Sequence, residues 1–320
     1  MKTFVGIEAL QPPENGSVIT VGTFDGFHLG HRGLVTRTID AARELGAESV
    51  VLTWDRHPAA TLRPDRLPPL LSSTERRAQL IEASGADVLA VLPFDTELSR
   101  QMPEAFVQDV LVRGLGLRSI FIGHDWRFGH KAAGDVGLLA RLGEELGFDV
   151  HGVDLQTIAG EPVTSSRVRR AIAEGDLPTA RVLLGRPFDI DGIVVKGAGR
   201  GKDLGYPTAN LALDPQLARP PRGVYAGMAH IGGATHPAAI NVGVNPTFGG
   251  DPESSPITIE PYLLDFDRDL YGENLRVEFW RRLRDELRFD SAEALVAQMA
   301  ADVEATRALI APTRSGEGAE

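Results

Sequence analysis

At 320 residues the chain is long enough for two ordinary domains, each with its own core. A net charge of −11 argues against a general nucleic-acid binder, and the absence of cysteine excludes a disulfide framework, a thiolate metal site and a Cys nucleophile. No basic segment leads into an apolar run at the N-terminus and no stretch approaches membrane-spanning length, so a cytoplasmic location with no membrane partner is expected.

The first signal in chain order is a β-rich run over 17–20 that feeds Val21-Gly22-Thr23-Phe24-Asp25-Gly26-Phe27-His28-Leu29-Gly30-His31. A helical pattern through Leu34, Val35, Ile39, Ala42 and Leu45 leaves it and is closed by Gly46. Glycines at a strand-to-helix junction let the backbone approach a ligand, and the first N–H groups of a helix favour an anion. His28 and His31, three apart at the helix mouth, share one face and can donate to a phosphate whose charge grows during reaction. From there to about residue 175 strands and helices alternate. Strands are expected at 48–54, 87–94, 118–123 and 149–154, with helices near 74–84, 103–113 and 138–146. The spacing Ser72 to Glu75 is that of a capping box. Repeated βα units imply a parallel sheet covered on both faces, with the working site beyond the carboxyl ends of its strands.

Three further segments fall at such ends. His57 is held extended by Pro58 after the second strand and reads as a wall of the site, although a His-Pro pair is also an ordinary loop. Ile122-Gly123-His124-Asp125-Trp126-Arg127-Phe128-Gly129 offers Asp125 as an acceptor and Phe128 as an apolar wall, although its aromatics could also simply plug the end of the sheet. Thr164, Ser165 and Ser166 are ordinary helix N-caps by themselves. With the free N–H groups of the helix start and the guanidinium of Arg167 they make a second anion site.

Beyond Gly185-Arg186-Pro187 the texture changes to strands alone, at 188–196, 208–213, 223–231, 235–244, 257–265 and 275–283. Six short strands suggest a small antiparallel barrel, followed by one amphipathic helix from Asp290-Ser291 and a disordered tail after Pro312. Gly197, Gly199, Gly201, Lys202 and Gly205 form a loop glycine-rich enough to fold over phosphates. It is neither a P-loop nor a dinucleotide fingerprint, and by itself it reads as a flexible hairpin rather than a phosphate loop. Thr208 and Asn210, two apart in Tyr206-Pro207-Thr208-Ala209-Asn210, offer hard oxygens suited to Mg²⁺. Glu260 stands at a strand position between apolar neighbours. A carboxylate there is either a base or an exposed strand-face acid.

The Gly22-x-Phe24-Asp25-Gly26-x-His28-x-Gly30-His31 run resembles the HxGH signature of nucleotidyltransferases. Its Phe-Asp-Gly form is similar to that of prokaryotic bifunctional riboflavin kinase/FAD synthetases. Pro207-Thr208-Ala209-Asn210 and the run from Glu260 to Gly272 resemble the riboflavin kinase half of the same family. The resemblance implies a Rossmann-like α/β adenylyltransferase domain over residues 1–186. A six-stranded antiparallel kinase barrel with a C-terminal helix would follow over 187–312, and then a tail over 313–320. It implies that riboflavin is phosphorylated by Mg²⁺-ATP and that the resulting FMN is adenylylated by a second ATP. Glu260, His28 and His31 would be catalytic. Gly22, Thr23, Phe24, Asp25, Ser165, Ser166 and Arg169 would contact the ATP of the adenylyltransferase, with Arg169 rather than Arg167 at the family's Arg position. His57, Asp125 and Phe128 would contact FMN. The chain departs from the family pattern at Arg56, Arg167 and Pro261-Tyr262. The partners implied are small molecules and not nucleic acid, and a homo-oligomer is left open.

Overall fold

The computed structural model describes residues 1–197, 204–244 and 257–314, which fall into two compact units, Met1–Ser165 and Ser166–Glu320. In the first unit the strands are β1 (Lys2–Val5), β2 (Ser17–Val21), β3 (Glu48–Trp54), β4 (Val88–Leu92), β5 (Leu117–Gly123) and β6 (Asp149–Val153). They form one all-parallel sheet in the order β1-β4-β3-β2-β5-β6. β2 and β4 are buried along their whole length, as strands covered on both faces must be. The order reverses direction between β2 and β5, which opens the crevice where open α/β sheets bind ligands.

Helix α1 (Leu29–Leu45) buries Val35, Thr38, Ile39 and Ala42 and ends at Gly46, whose φ of 61° is the left-handed cap that glycine adopts without strain. With Phe24, Phe27, Val51 and Leu89 this face makes one core cluster, and Ile19, Val50, Leu52 and Phe106 belong to a second. After α2 (Pro58–Leu62) comes α3 (Thr74–Glu82). The cap of α3 is Ser73, which accepts from the Arg76 N–H at 3.0 Å, and not Ser72 as the capping-box spacing suggests. The Ser72 hydroxyl instead accepts from the Gly26 N–H at 3.2 Å. Past α4 (Thr96–Arg100) and α5 (Pro103–Ala105), the expected helix is wound in the wider π form over Phe106–Gly114. It still buries Phe106, Val107, Val110 and Leu111. α6 (Val136–Leu146) precedes β6, and a two-stranded hairpin, β7 (Thr157–Ile158) with β8 (Glu161–Pro162), leads to α7 (Ser165–Glu174). Neither β1 nor this hairpin is among the expected elements.

The second unit takes in α7 from Ser166 onward, α8 (Leu177–Leu184) and then the expected strands. These are β9 (Phe188–Val195), β10 (Asn210–Ala212), β11 (Gly223–Ile231), β12 (Ala234–Val244), β13 (Ile257–Leu263) and β14 (Asn274–Arg284). All pairings are antiparallel, in the order β10-β9-β14-β11-β12-β13. The two outer strands meet where the Ala209 N–H donates to the Pro261 carbonyl at 2.9 Å, which nearly closes the barrel. A bulge between Ala226 and Gly227 bends β11 against β14, and a Cβ at Gly227 would collide with the Glu278 carbonyl. The last helix, α9 (Ala292–Arg314), runs past Pro312. It is tied to β14 by Arg284, whose guanidinium donates to both Asp302 carboxylate oxygens at 2.7–3.2 Å. The expected tail lies, from 315 onward, outside the described residues.

Candidate active sites

In the first unit, parallel pairing ends with the Gly22 N–H donating to the Leu52 carbonyl at 3.1 Å, and the chains then part. The loop that follows is tightly wound. Phe24, Gly26 and Phe27 all have positive φ (50°, 76° and 39°), while Phe24 and Phe27 are buried beneath it. The Asp25 carboxylate, 2% exposed, accepts from the Leu71 and Ser72 N–H groups at 2.9 and 3.2 Å. The Ser165 hydroxyl donates to the Asp25 carbonyl at 3.0 Å. Asp25 thus holds the loop's shape from behind.

His28 is the N-cap of α1, and its Nδ1 accepts from the His31 N–H at 3.3 Å. A neutral imidazole that accepts at Nδ1 carries its proton on Nε2, as a phosphate donor requires. The rings of His28 and His31 stack with centroids 3.6 Å apart, and the Phe24 ring meets His31 edge-on at 5.2 Å. The pair is therefore on one face, as its spacing predicts. Gly30 permits this: a Cβ there would lie 3.2 Å from both the His28 ring and the Val163 carbonyl.

Beside the loop is a cavity of about 470 Å³, in the range of small-molecule sites. Gly22 and Thr23 form one end of it. Trp54, Phe94, Phe106, Trp126 and Phe128 supply aromatic walls, and Arg63, Arg127 and Lys131 also line it. Trp126 stacks on Phe128 at 4.4 Å, and Trp54 meets Phe94 edge-on at 5.3 Å. Such a chamber has the aromatic walls and the volume for a flat ring, and it lies beside a glycine-containing strand-to-helix loop of the kind whose N–H groups favour anions. Phe128 lies in this wall. His57 and Asp125 do not line the cavity themselves but adjoin residues that do, Pro58 and Trp126. His57 caps α2, accepting from the Ala59 N–H at 3.1 Å, and Asp125 is exposed. In the α7 segment Ser166 is exposed and Arg169 half-buried.

Two charged residues that the sequence reading passes over frame the cavity. Asp55 accepts from the Phe94 N–H at 2.9 Å and so ties the end of β3 to that of β4. Burial works to raise its carboxyl, but the bonds from Arg56 and Phe94 hold it below the usual range. Arg77, on α3 and only 5% exposed, donates to the Thr23 carbonyl at 3.1 Å and to the Trp54 carbonyl at 2.5 Å. Burial pushes its guanidinium below the ordinary value, while Asp25 and Asp55 pull it back up.

In the second unit, the barrel seam brings Thr208 and Asn210 to the strand that bears Glu260, because Ala209 bonds to Pro261. Tyr206 and Tyr262 meet edge-on at 5.3 Å along the same seam. Asn210 opens β10, whereas Thr208 precedes the strand and does not lie within it as expected. A Cβ at Gly197 would collide with the Asn210 carboxamide, so that glycine leaves the amide its place. Glu260 is half-buried, pairs in register with Asn241 and accepts from the Thr258 hydroxyl at 3.2 Å. Gly205 is described and exposed. Gly199, Gly201 and Lys202 lie outside the described residues. Among the described residues no three His, Asp or Glu side chains cluster as a metal site, and no helix is long and apolar enough to cross a membrane.

A strand-end anion loop beside an aromatic cavity, in one chain with a separate antiparallel barrel, defines a two-domain nucleotide-using transferase. The FAD synthetase family model matches residues 10–167 and the riboflavin kinase model residues 184–310. Bifunctional riboflavin kinase/FMN adenylyltransferases from Listeria monocytogenes (37% identical, 92% of each chain) and Pseudomonas fluorescens (38%, 98% of this chain and 99% of that one) are among the relatives. A crystal structure from Streptococcus pneumoniae, described as a macrolide-efflux protein, superposes with a TM-score of 0.84 at 30% identity over 96% of this chain and 99% of that one. The chain belongs to the bifunctional riboflavin kinase/FMN adenylyltransferase family, with the FAD synthetase and riboflavin kinase domains in that order.

Proposed function

We propose that residues 1–186 carry the adenylyltransferase and residues 187–312 the kinase, each with its own catalytic residues. In the first, the FMN ring stacks in the cavity against Phe128 and its aromatic neighbours, with His57 and Asp125 at the margin. An oxygen of the FMN phosphate attacks the α-phosphorus of ATP. The bond to the bridging oxygen of the β-phosphate breaks, and pyrophosphate leaves. His28 and His31 donate hydrogen bonds as negative charge builds on the transferring group. Gly22, Thr23 and Phe24 supply the backbone of the anion loop, which Asp25 braces. Ser165, Ser166 and Arg169 hold the departing pyrophosphate. The stacked imidazole pair at the mouth of α1, beside a cavity of flavin-ring size, is the observation that carries this reading.

In the barrel, Glu260 accepts the proton of the riboflavin ribityl hydroxyl as that oxygen attacks the γ-phosphorus of ATP, and ADP leaves. Thr208 and Asn210 offer two hard oxygens and no carboxylate cluster, a donor set that suits a Mg²⁺ arriving with its nucleotide. When bound, that ion would neutralise phosphate charge. Gly197, Gly199, Gly201, Lys202 and Gly205 bind the ATP of the kinase. We place the enzyme in the cytoplasm, with small-molecule substrates and no nucleic-acid or membrane partner; the charge of −11 supports the absence of a nucleic-acid partner.

The test is chromatography of flavins after incubation with riboflavin, Mg²⁺ and ATP. The parent makes FAD, Glu260→Ala makes FAD only when supplied with FMN, and His28→Ala stops at FMN. Full FAD synthesis by either variant would overturn the role given to that residue.

A further inference from the structure

Arg77 has no part in the scheme above, yet it is a buried cation directly behind the anion loop. Both of its carbonyl partners, on Thr23 and Trp54, belong to residues that line the cavity. They come from neighbouring parallel strands just past the last backbone bond between them, Gly22 N–H to Leu52 C=O. Beyond that bond the sheet no longer fixes the spacing of the two chains. The rigid guanidinium fork does so instead, with one donor for each chain. The Thr53 hydroxyl donates to the same Thr23 carbonyl at 3.3 Å and reinforces the join.

We propose that Arg77 is a positioning residue for adenylyl transfer, a proposal that rests on the assignment of His28 and His31 above. It acts in two ways. It fixes the loop that carries the histidines relative to the aromatic wall formed by Trp54, so that the phosphate end and the ring end of one flavin ligand are held in register. It also draws the Thr23 carbonyl toward α3. Peptide planarity then turns the Phe24 N–H the opposite way, and a repulsive oxygen is removed from the approach of a polyanion. The positive charge adds to the same field from behind, where little solvent screens it.

The test uses the full chain and compares Arg77→Met with Arg77→Lys, measuring kcat and KM for FMN adenylylation and, in the same samples, riboflavin phosphorylation as an internal standard. Misplacement of reacting groups by about 1 Å costs on the order of 100-fold in rate. Arg77→Met is therefore expected to lose about 10- to 100-fold in kcat for adenylylation with a smaller change in KM for ATP. Arg77→Lys, which keeps the charge and one of the two bonds, recovers about tenfold of that loss. Riboflavin phosphorylation stays at the parental rate in both. Unchanged kcat with only a lower melting temperature would show a merely structural arginine and overturn the proposal, and so would a lysine variant no better than the methionine one. If Arg77→Met yields no soluble protein, Arg77→Lys decides: reduced kcat at the parental melting temperature supports the proposal, and parental kcat overturns it. A parent enzyme unable to adenylylate FMN would sink the adenylyltransferase assignment itself.

Discussion

Gly30→Ala isolates the placement of His28 from the stability of the fold. Gly30 sits in the first turn of α1 without a positive φ, so its backbone suits alanine, which gains about 1 kcal/mol of helix propensity. The new methyl would nonetheless stand 3.2 Å from Cε1 and Nδ1 of His28 and from the Val163 carbonyl. Ordinary contact begins near 3.4 Å and is comfortable a few tenths beyond. Val163 is fully buried and its N–H is bonded to the Gln156 carbonyl, so the imidazole must yield, by a few tenths of an ångström. With about 100-fold lost per ångström, a shift of about 0.3 Å costs about fourfold, or about 0.8 kcal/mol in the barrier. Adenylylation of FMN should therefore fall about fourfold. The melting temperature should stay near the parental value, the helix-propensity gain offsetting the tight contact with the Val163 carbonyl, and riboflavin phosphorylation should be unchanged. Parental adenylylation in a folded Gly30→Ala enzyme would refute the idea that the stacked position of His28 matters to the reaction.

Two further outcomes concern the barrel. Asp302→Ala leaves the half-buried Arg284 without its fork partner and should destabilise the second unit by about 3–5 kcal/mol, read as earlier thermal loss of riboflavin phosphorylation than in the parent; equal inactivation midpoints would count against it. Glu278 is pushed up by burial, but bonds from His230 and Trp280 bring its carboxyl below its ordinary value. Its stabilising contribution is thus full above the unfolded value and is lost as pH falls through the lower folded one. Glu278→Gln should flatten the acid limb of the urea midpoint, followed by Trp280 fluorescence between about pH 3 and 7, and an acid limb as steep as the parent's would contradict the assignment.

The strand-loop-helix at residues 17–46 is legible in sequence because its determinants are local, namely glycines, a cap and a helical period. The barrel strands are legible for the same reason, as alternating runs between Gly and Pro. β1 escapes notice because a four-residue edge strand, exposed at three positions, shows no apolar alternation. The π winding of Phe106–Gly114 escapes because burial at 106, 107, 110 and 111 fits an ordinary helix equally well. The cavity is the larger omission. Its aromatic walls come from the ends of several strands and from the π segment, so only the sheet order brings them together. Phe106 reads as helix core and is that and cavity wall at once. Arg77 goes unremarked in the sequence because its partners are backbone carbonyls that no sequence pattern reveals.

The proline at the barrel seam bears on how such a sheet behaves in a crowded solution. In a strand, a residue's carbonyl and N–H point to the same side, so the Pro261 carbonyl that faces Ala209 marks the outward side of β13. There the chain accepts a bond but has no hydrogen to give in return. β10 covers this edge with only three strand residues, and a longer foreign strand would find the row of donors interrupted where it tried to pair. Pro261 thus lets the seam close on its own chain while making the same edge a poor template for strands of others.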